Sequence, residues 1–198
     1  MDAAEQSFAR RGYRASTMEV IAAQAGYSRA GMYRQFPTRK DLVEALVERA
    51  TLRKAADIAK RLGGNATLVD MIVESLIIVG TELVHDPLIR LIDDHSDDGT
   101  VANIITNHAT LTDSVTSLIE PYLGGTGTSL LREGLRSADV AQFLISTSVS
   151  LLLRLIPGTE EPSTARRYIE VFVLPAILRD PPRPCPVFVN AVEDTHEP

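Results

Sequence analysis

The chain has 198 residues, 44% apolar and 23% charged, with a net charge of −6 and one cysteine, Cys185. A single thiol excludes a disulfide framework and a Cys-based zinc site, and the composition is that of an ordinary globular protein. The opening MDAAEQSFARRGY has no basic start followed by an apolar run, so no signal peptide is expected; the apolar stretches 72–79 and 149–156 fall far short of the ~20 residues of a membrane span, and the expected location is cytoplasmic.

The charge is unevenly placed. Residues 1–60 hold 11 Lys/Arg against 7 Asp/Glu, net +4, whereas residues 61–198 hold 9 against 19, net −10. A basic head on an acidic body suits a protein that meets an anion with one end. Chance clustering is the plain alternative.

Apolar residues recur at three- and four-residue steps with no convincing period-two run. This predicts an all-α fold of about nine helices. The first helix, Asp2–Arg11, turns Ala4, Phe8 and Ala9 inward and ends at Gly12, a residue suited to a left-handed C-terminus. Ser16 or Thr17 caps a second helix with Met18, Val20, Ile21 and Ala25 that stops at Gly26. Ser28 caps a short third helix ending near Phe36-Pro37. Thr38-Arg-Lys-Asp41 is a capping box with Asp in place of Glu, opening a long helix to about Leu62. Gly63-Gly64-Asn65 is a clear break.

Beyond it lie an apolar helix Thr67–His85, a short helix Leu88–Asp94, a polar loop His95–Gly99 and a helix Val101–Leu123. The loop Gly124–Ser129 follows, then a strongly apolar helix capped by Ser137 and ending at Ile156 before Pro157-Gly158. The last helix is Ser163–Leu178, with Pro175 expected to kink or fray its end. The domains read as 1–46 for a three-helix DNA-binding head, 47–180 for a larger helical ligand-binding and dimerisation body, and 181–198 for an irregular Pro-rich tail.

Two short helices joined by a glycine-containing turn have the shape of a helix-turn-helix. Gly26 accepts the positive φ that the turn requires. The second of these helices must present small and polar groups to a major groove about 12 Å wide, and Ser28, Arg29, Ala30 and Gly31 do so while Met32 and Phe36 dock inward. Helix N-termini offer free N–H groups to phosphate, which places Thr17 at one contact and Thr38, Arg39 and Lys40 at another. The Tyr33 hydroxyl can reach the backbone too. Such contacts set register without reading sequence.

The stretch RRGYRASTMEVIAAQAGYSRAGMYRQFPTRKDLVEAL resembles the N-terminal signature of the TetR family of regulators. The matching elements are Gly12-Tyr13, Ser16-Thr17, Ile21-Ala22, Ala25-Gly26, Ser28, Tyr33, Phe36-Pro37 and Asp41-Leu42. The resemblance covers about 45 residues and implies a repressor that binds operator DNA as a homodimer and is released by a small molecule. It implies phosphate contacts from Thr17 and Tyr33, with Arg39 standing where the family usually has a phosphate-binding Lys. Arg29, Ala30, Gly31 and Arg34 would lie at or near base edges. Packing is the alternative role for Tyr33, and plain solvation that for Arg34. Two departures stand out: the basic arm common before the first helix is either missing or lies upstream of the start given, and Gly31 leaves backbone only at a position where relatives often have a side chain. Together they support an alternative, a helical ligand-binding or interaction protein whose head no longer binds DNA.

In the body, the resemblance implies that the last two helices pair with those of a second subunit. Val140, Leu144, Thr147, Leu151 and Leu155 form one stripe, and Tyr168, Val171, Phe172 and Leu178 another; single-chain core packing is the alternative for each. A twofold dimer fits a DNA site with two half-sites. The candidate pocket lining is Met71, Ile78, Leu83, Ile89, Ile92, Ile105, Leu111 and Phe143, with His108 as a polar contact or a surface residue. Such a lining favours an apolar or amphipathic ligand.

No enzyme, metal or cofactor is expected. A calcium loop read from Asp94 through Ser96, Asp98 and Gly99 reaches Ile105 where a bidentate Glu is needed. Gly124-Gly-Thr-Gly-Thr128 lacks the lysine of a phosphate loop and follows no strand.

Overall fold

Local signals fix most helix starts. In the computed structural model, which describes residues 1–85, 109–123 and 130–184, the regular elements of the described residues are helical. A lone antiparallel bridge joins Leu131 to Leu178. The sequence expectations for Leu88–Asp94, His95–Gly99, the first part of Val101–Leu123, Gly124–Ser129 and the end of the tail lie outside the described residues.

Helix α1 (Asp2–Ala15) is broken at Gly12, where φ is 75° and ψ 175°. Only glycine adopts this readily. The chain then makes one more turn, which the sequence reading did not foresee. That turn swings Tyr13 inward to 4% exposure and stacks it on Phe8, ring centroids 5.9 Å apart. Ala9, expected inside, is exposed. The register is pinned by a buried polar relay: Ser7 Oγ donates to Ser16 Oγ at 2.9 Å, and Ser16 Oγ donates to the Gly12 carbonyl at 2.8 Å. Buried hydroxyls satisfied in this way avoid a desolvation penalty of about 1–3 kcal/mol.

Thr17, not Ser16, caps α2 (Met18–Gln24), accepting from the Val20 N–H at 3.3 Å. Gly26 turns the chain with φ 71°. Ser28 caps α3 (Arg29–Gln35) through the Gly31 N–H at 3.1 Å. Thr38 and Asp41 form the reciprocal box at the start of α4 (Arg39–Leu62). Phe8, Tyr13, Met18, Ile21, Met32, Leu42 and Leu46 close the head's core, which continues onto Leu111, Ile145 and Val149 of the body. Head and body therefore share one apolar seam along α4.

The body is centred on α5 (Leu68–Thr81), opened by a second capping box between Thr67 and Asp70 and followed by a 3-10 turn, Leu83–His85. Around it pack α4, α7 (Ser137–Leu152) and α8 (Pro162–Tyr168), while α6 (Ala109–Ile119) lies against α4 and α7. Gly80 lets α5 approach the loop beyond α7: a Cβ there would stand 3.0 Å from the Thr159 carbonyl oxygen.

The later helices also differ from expectation. Arg136 occupies the N-cap of α7 and Ser137 is already helical; Asp139, three residues beyond the cap, accepts from the Arg136 N–H at 2.9 Å. The same helix ends at Leu152 rather than Ile156, because Arg154 enters the left-handed region with φ 54°. The last helix is not uniform: α8 passes through a π-helical turn, Ile169–Val173, into α9 (Leu174–Ile177). Pro175 explains this. It has no N–H for the carbonyl one turn back, and its ring crowds that carbonyl, so the turn widens.

Candidate DNA interface and ligand cavity

Helix α3 is held from beneath and open above. Met32 is 5% exposed and Phe36 half-buried against the head's core, whereas Ser28, Arg29, Ala30, Tyr33 and Arg34 are exposed and Gly31 half-buried. The outer side is therefore small and polar at its N-terminal end, as a rod entering a groove requires. At Gly31 a Cβ would sit 3.2 Å from Ser28 Oγ, so a side chain there presses on the hydroxyl that caps the helix.

Thr17, Thr38 and Lys40 are exposed at the starts of α2 and α4, and Lys40 lies 3.6 Å from Glu44. Arg39 is placed differently from its neighbours. Its guanidinium lies 3.6 Å above the Tyr13 ring centroid and donates to the Tyr13 carbonyl. It is turned into the head as a pin between α4 and the last turn of α1.

Sequence reasoning missed Glu19 of α2. Its carboxylate lies 3.1 Å from the Arg29 guanidinium and accepts from the Tyr33 hydroxyl at 3.3 Å. Arg29 also stands 5.6 Å from the Tyr33 ring centroid. Glu19 is held below the usual carboxylate range by its own backbone N–H and the Thr17 hydroxyl, with smaller help from Arg29 and Tyr33. One acid thus organises two of the side chains assigned to DNA. The missed signal is spacing between elements, since Glu19 and Arg29 meet only once the turn at Gly26 is made.

Further along α4, Arg49 pairs with Asp2 at 2.6 Å and Glu5 at 2.7 Å, and Arg53 pairs with Glu5 at 2.9 Å. These pairs bind the long helix to α1. The same stretch of α4 forms one wall of an apolar cavity of about 210 Å³ with α5, α6 and α7. Of the pocket residues expected from sequence, Met71, Ile78, Leu83 and Leu111 line it. Phe143 is 40% exposed on α7 and does not line it, and Ile89, Ile92, Ile105 and His108 lie outside the described residues. Sequence reasoning missed the α4 wall of Val47, Ala50, Thr51, Lys54, Ala55 and Ile58, although its three- and four-residue steps mark one helix face.

The residues assigned to a dimer interface divide into two groups. Val140, Leu144, Thr147, Leu151 and Leu178 are buried within the chain, and Leu144 lines the cavity. Leu155 and Phe172 are exposed, at 67% and 63%, while Tyr168 and Val171 are half-buried. The Tyr168 and Phe172 rings meet at a 40° tilt with centroids 5.4 Å apart. Exposed Phe143 joins this set from α7.

A capped, outward-facing α3 seated on α1 and α2 defines a helix-turn-helix protein of the transcription-regulator class. Residues 1–46 match the model of the bacterial regulatory proteins of the tetR family. The match covers the head alone, so it is over residues 1–46 that the chain is similar to this family.

The all-helical fold recurs in solved structures. TylP, a tetR regulator from Streptomyces fradiae, aligns with a TM-score of 0.53 and 18% identity over 89% of this chain and 83% of that one. NalD of Pseudomonas aeruginosa, described as the secondary repressor of the MexAB-OprM multidrug efflux pump, gives 0.50 and 18% over 90% and 94%. SmeT in complex with triclosan gives 0.50 and 22% over 93% and 96%. At these identities the likeness is one of fold. No curated protein matches the chain.

Proposed function

We propose that the protein is a cytoplasmic repressor that binds operator DNA as a homodimer and is released when a small apolar or amphipathic molecule enters the body. The observation that carries this is α3, whose small polar residues face solvent while Met32 and Phe36 anchor it. Arg29 and Arg34 are assigned to base edges, with Ser28, Ala30 and Gly31 allowing close approach. Thr17, Tyr33, Thr38 and Lys40 are assigned to phosphates. A second copy would cover exposed Phe143, Leu155 and Phe172, which are otherwise costly apolar surface. No catalytic step is assigned.

Release follows from linkage. A ligand that prefers the form with the heads splayed apart lowers operator affinity by the ratio of its affinities for the two forms. Helix α4 is the connection, because it walls the cavity and holds α1 through Arg49 and Arg53. That NalD is described as a repressor and SmeT is seen with triclosan is consistent with this assignment.

Selection of genomic fragments by the purified full chain, followed by gel shift, tests it. Enrichment of a site with two symmetric half-sites, bound by two protomers at least about a thousandfold tighter than random DNA, is expected. Uniform weak binding to all fragments would instead leave the helical ligand-binding alternative.

A further inference from the structure

The cavity's lining is almost wholly apolar, and Lys54 of α4 is the one charged side chain among its described lining residues. Lys54 is half-buried. Among the described residues it makes no ion pair or hydrogen bond, unlike Arg49, Arg53 and Arg61 on the same helix, which are paired to Glu5 or Glu74. It stands where the cavity meets a charged groove that includes Asp57, Lys60 and Glu82. Neither acid comes within 4 Å of its ammonium as an ion pair, so at this junction of apolar cavity and charged groove the charge has no partner among the described residues.

We infer that the cavity takes an amphiphile with one anionic head group, its aliphatic body against Ile58, Met71, Ile78 and Val149 and its head on the Lys54 ammonium. This rests on the assignment of the cavity as the effector site and deepens it by naming the ligand's chemistry. Apolar walls recognise the body by area removed from water. A charged head would be excluded from such walls without a partner, and Lys54 supplies one at the rim, where its stem covers apolar surface and its ammonium reaches the solvent edge. Because Lys54 follows Arg53, which grips Glu5 of α1, a head group drawn to it acts on the turn of α4 that also holds the head.

Titration calorimetry on the full chain, with straight-chain carboxylic acids of about eight to twelve carbons and the matching primary alcohols as probes, tests this. Near neutral pH the acid is expected to bind at least about tenfold more tightly than its alcohol, the size of one charge-assisted hydrogen bond. In Lys54→Met that preference disappears while alcohol affinity stays within about twofold of the parent, so the alcohol reports that the chamber is intact. Equal binding of acid and alcohol by the parent, or a preference that survives Lys54→Met, overturns the assignment of Lys54 and leaves the cavity as an effector site. Failure of acids and alcohols alike to bind the parent overturns both.

Discussion

The Arg39 guanidinium lies over the Tyr13 ring at 3.6 Å and donates to the Tyr13 carbonyl. The first residue of the long helix thus locks the turn of α1 that follows Gly12. A cation above an aromatic face contributes about 0.5–2 kcal/mol, more as it is desolvated. The position that the family resemblance assigns to phosphate is, in this chain, engaged with the protein itself.

Arg39→Ala is therefore expected to lower the head's stability by about 1–2 kcal/mol, read as a fall in thermal or denaturant midpoint. The salt dependence of DNA binding by the folded variant should be nearly unchanged. Lys40→Ala should do the opposite, leaving stability intact and reducing the slope of log affinity against log salt by about one. A full unit lost from the slope in Arg39→Ala would return that residue to the phosphate set.

Glu19 restrains Arg29 and Tyr33. Glu19→Gln removes a negative charge from the DNA face and weakens that restraint. Affinity for random DNA should rise several-fold and its salt slope should steepen, while the ratio of operator to random binding falls. Equilibrium binding to both DNAs at several salt concentrations checks this. A loss of affinity on both would mean that Glu19 matters to the fold rather than to the aim of Arg29.

Gly80 faces the Thr159 carbonyl, with 3.0 Å for an added Cβ. Alanine gains about 1 kcal/mol of helix propensity, but overpacking against backbone costs about 1–3 kcal/mol. Gly80→Ala should lose stability overall, seen as a lower denaturant midpoint with an unchanged slope. A stabilised variant would show that the loop at Thr159 yields easily.

Acid should act through a few carboxylates. Asp139 is held at about 2 by the Arg136 guanidinium and backbone N–H, and Asp70 is lowered by the Thr67 N–H and hydroxyl. A depressed folded pKa gives stability that is present above the unfolded value near 3.8 and lost as pH falls through the folded value. Carbon-detected NMR at about pH 3 should find Asp139 still ionised, and Arg136→Ala, which removes the guanidinium but keeps the backbone N–H, should raise its protonated fraction there.

What the sequence made legible was local. Thr17, Ser28 and Thr38 announce helix starts because a capping hydroxyl acts within three residues, and Gly26 announces the turn because its φ is intrinsic to glycine. What it concealed depends on distant partners. Arg39 finds Tyr13 twenty-six positions earlier in the chain, and Glu19 finds Arg29 across a turn. Periodicity showed that Val140, Leu144, Thr147 and Leu151 share a face of α7, but not that the chain's own core covers it, leaving Phe143 outward. Pro175 forecast a disturbance of the last helix; its form, a widened turn from Ile169 to Val173, required the neighbouring packing.

The most direct test of α3 as a groove-reading rod replaces each purine of the selected operator, one at a time, with its 7-deaza analogue, which lacks the N7 acceptor of the major-groove edge. Binding of the parent and of Arg29→Ala is then compared at fixed salt. At one or more guanines the parent should lose about five- to a hundredfold in affinity, and Arg29→Ala should be indifferent to the same replacement. Indifference of the parent at every purine, or equal losses in both proteins, would contradict the placement of α3 in the groove with Arg29 at a base edge.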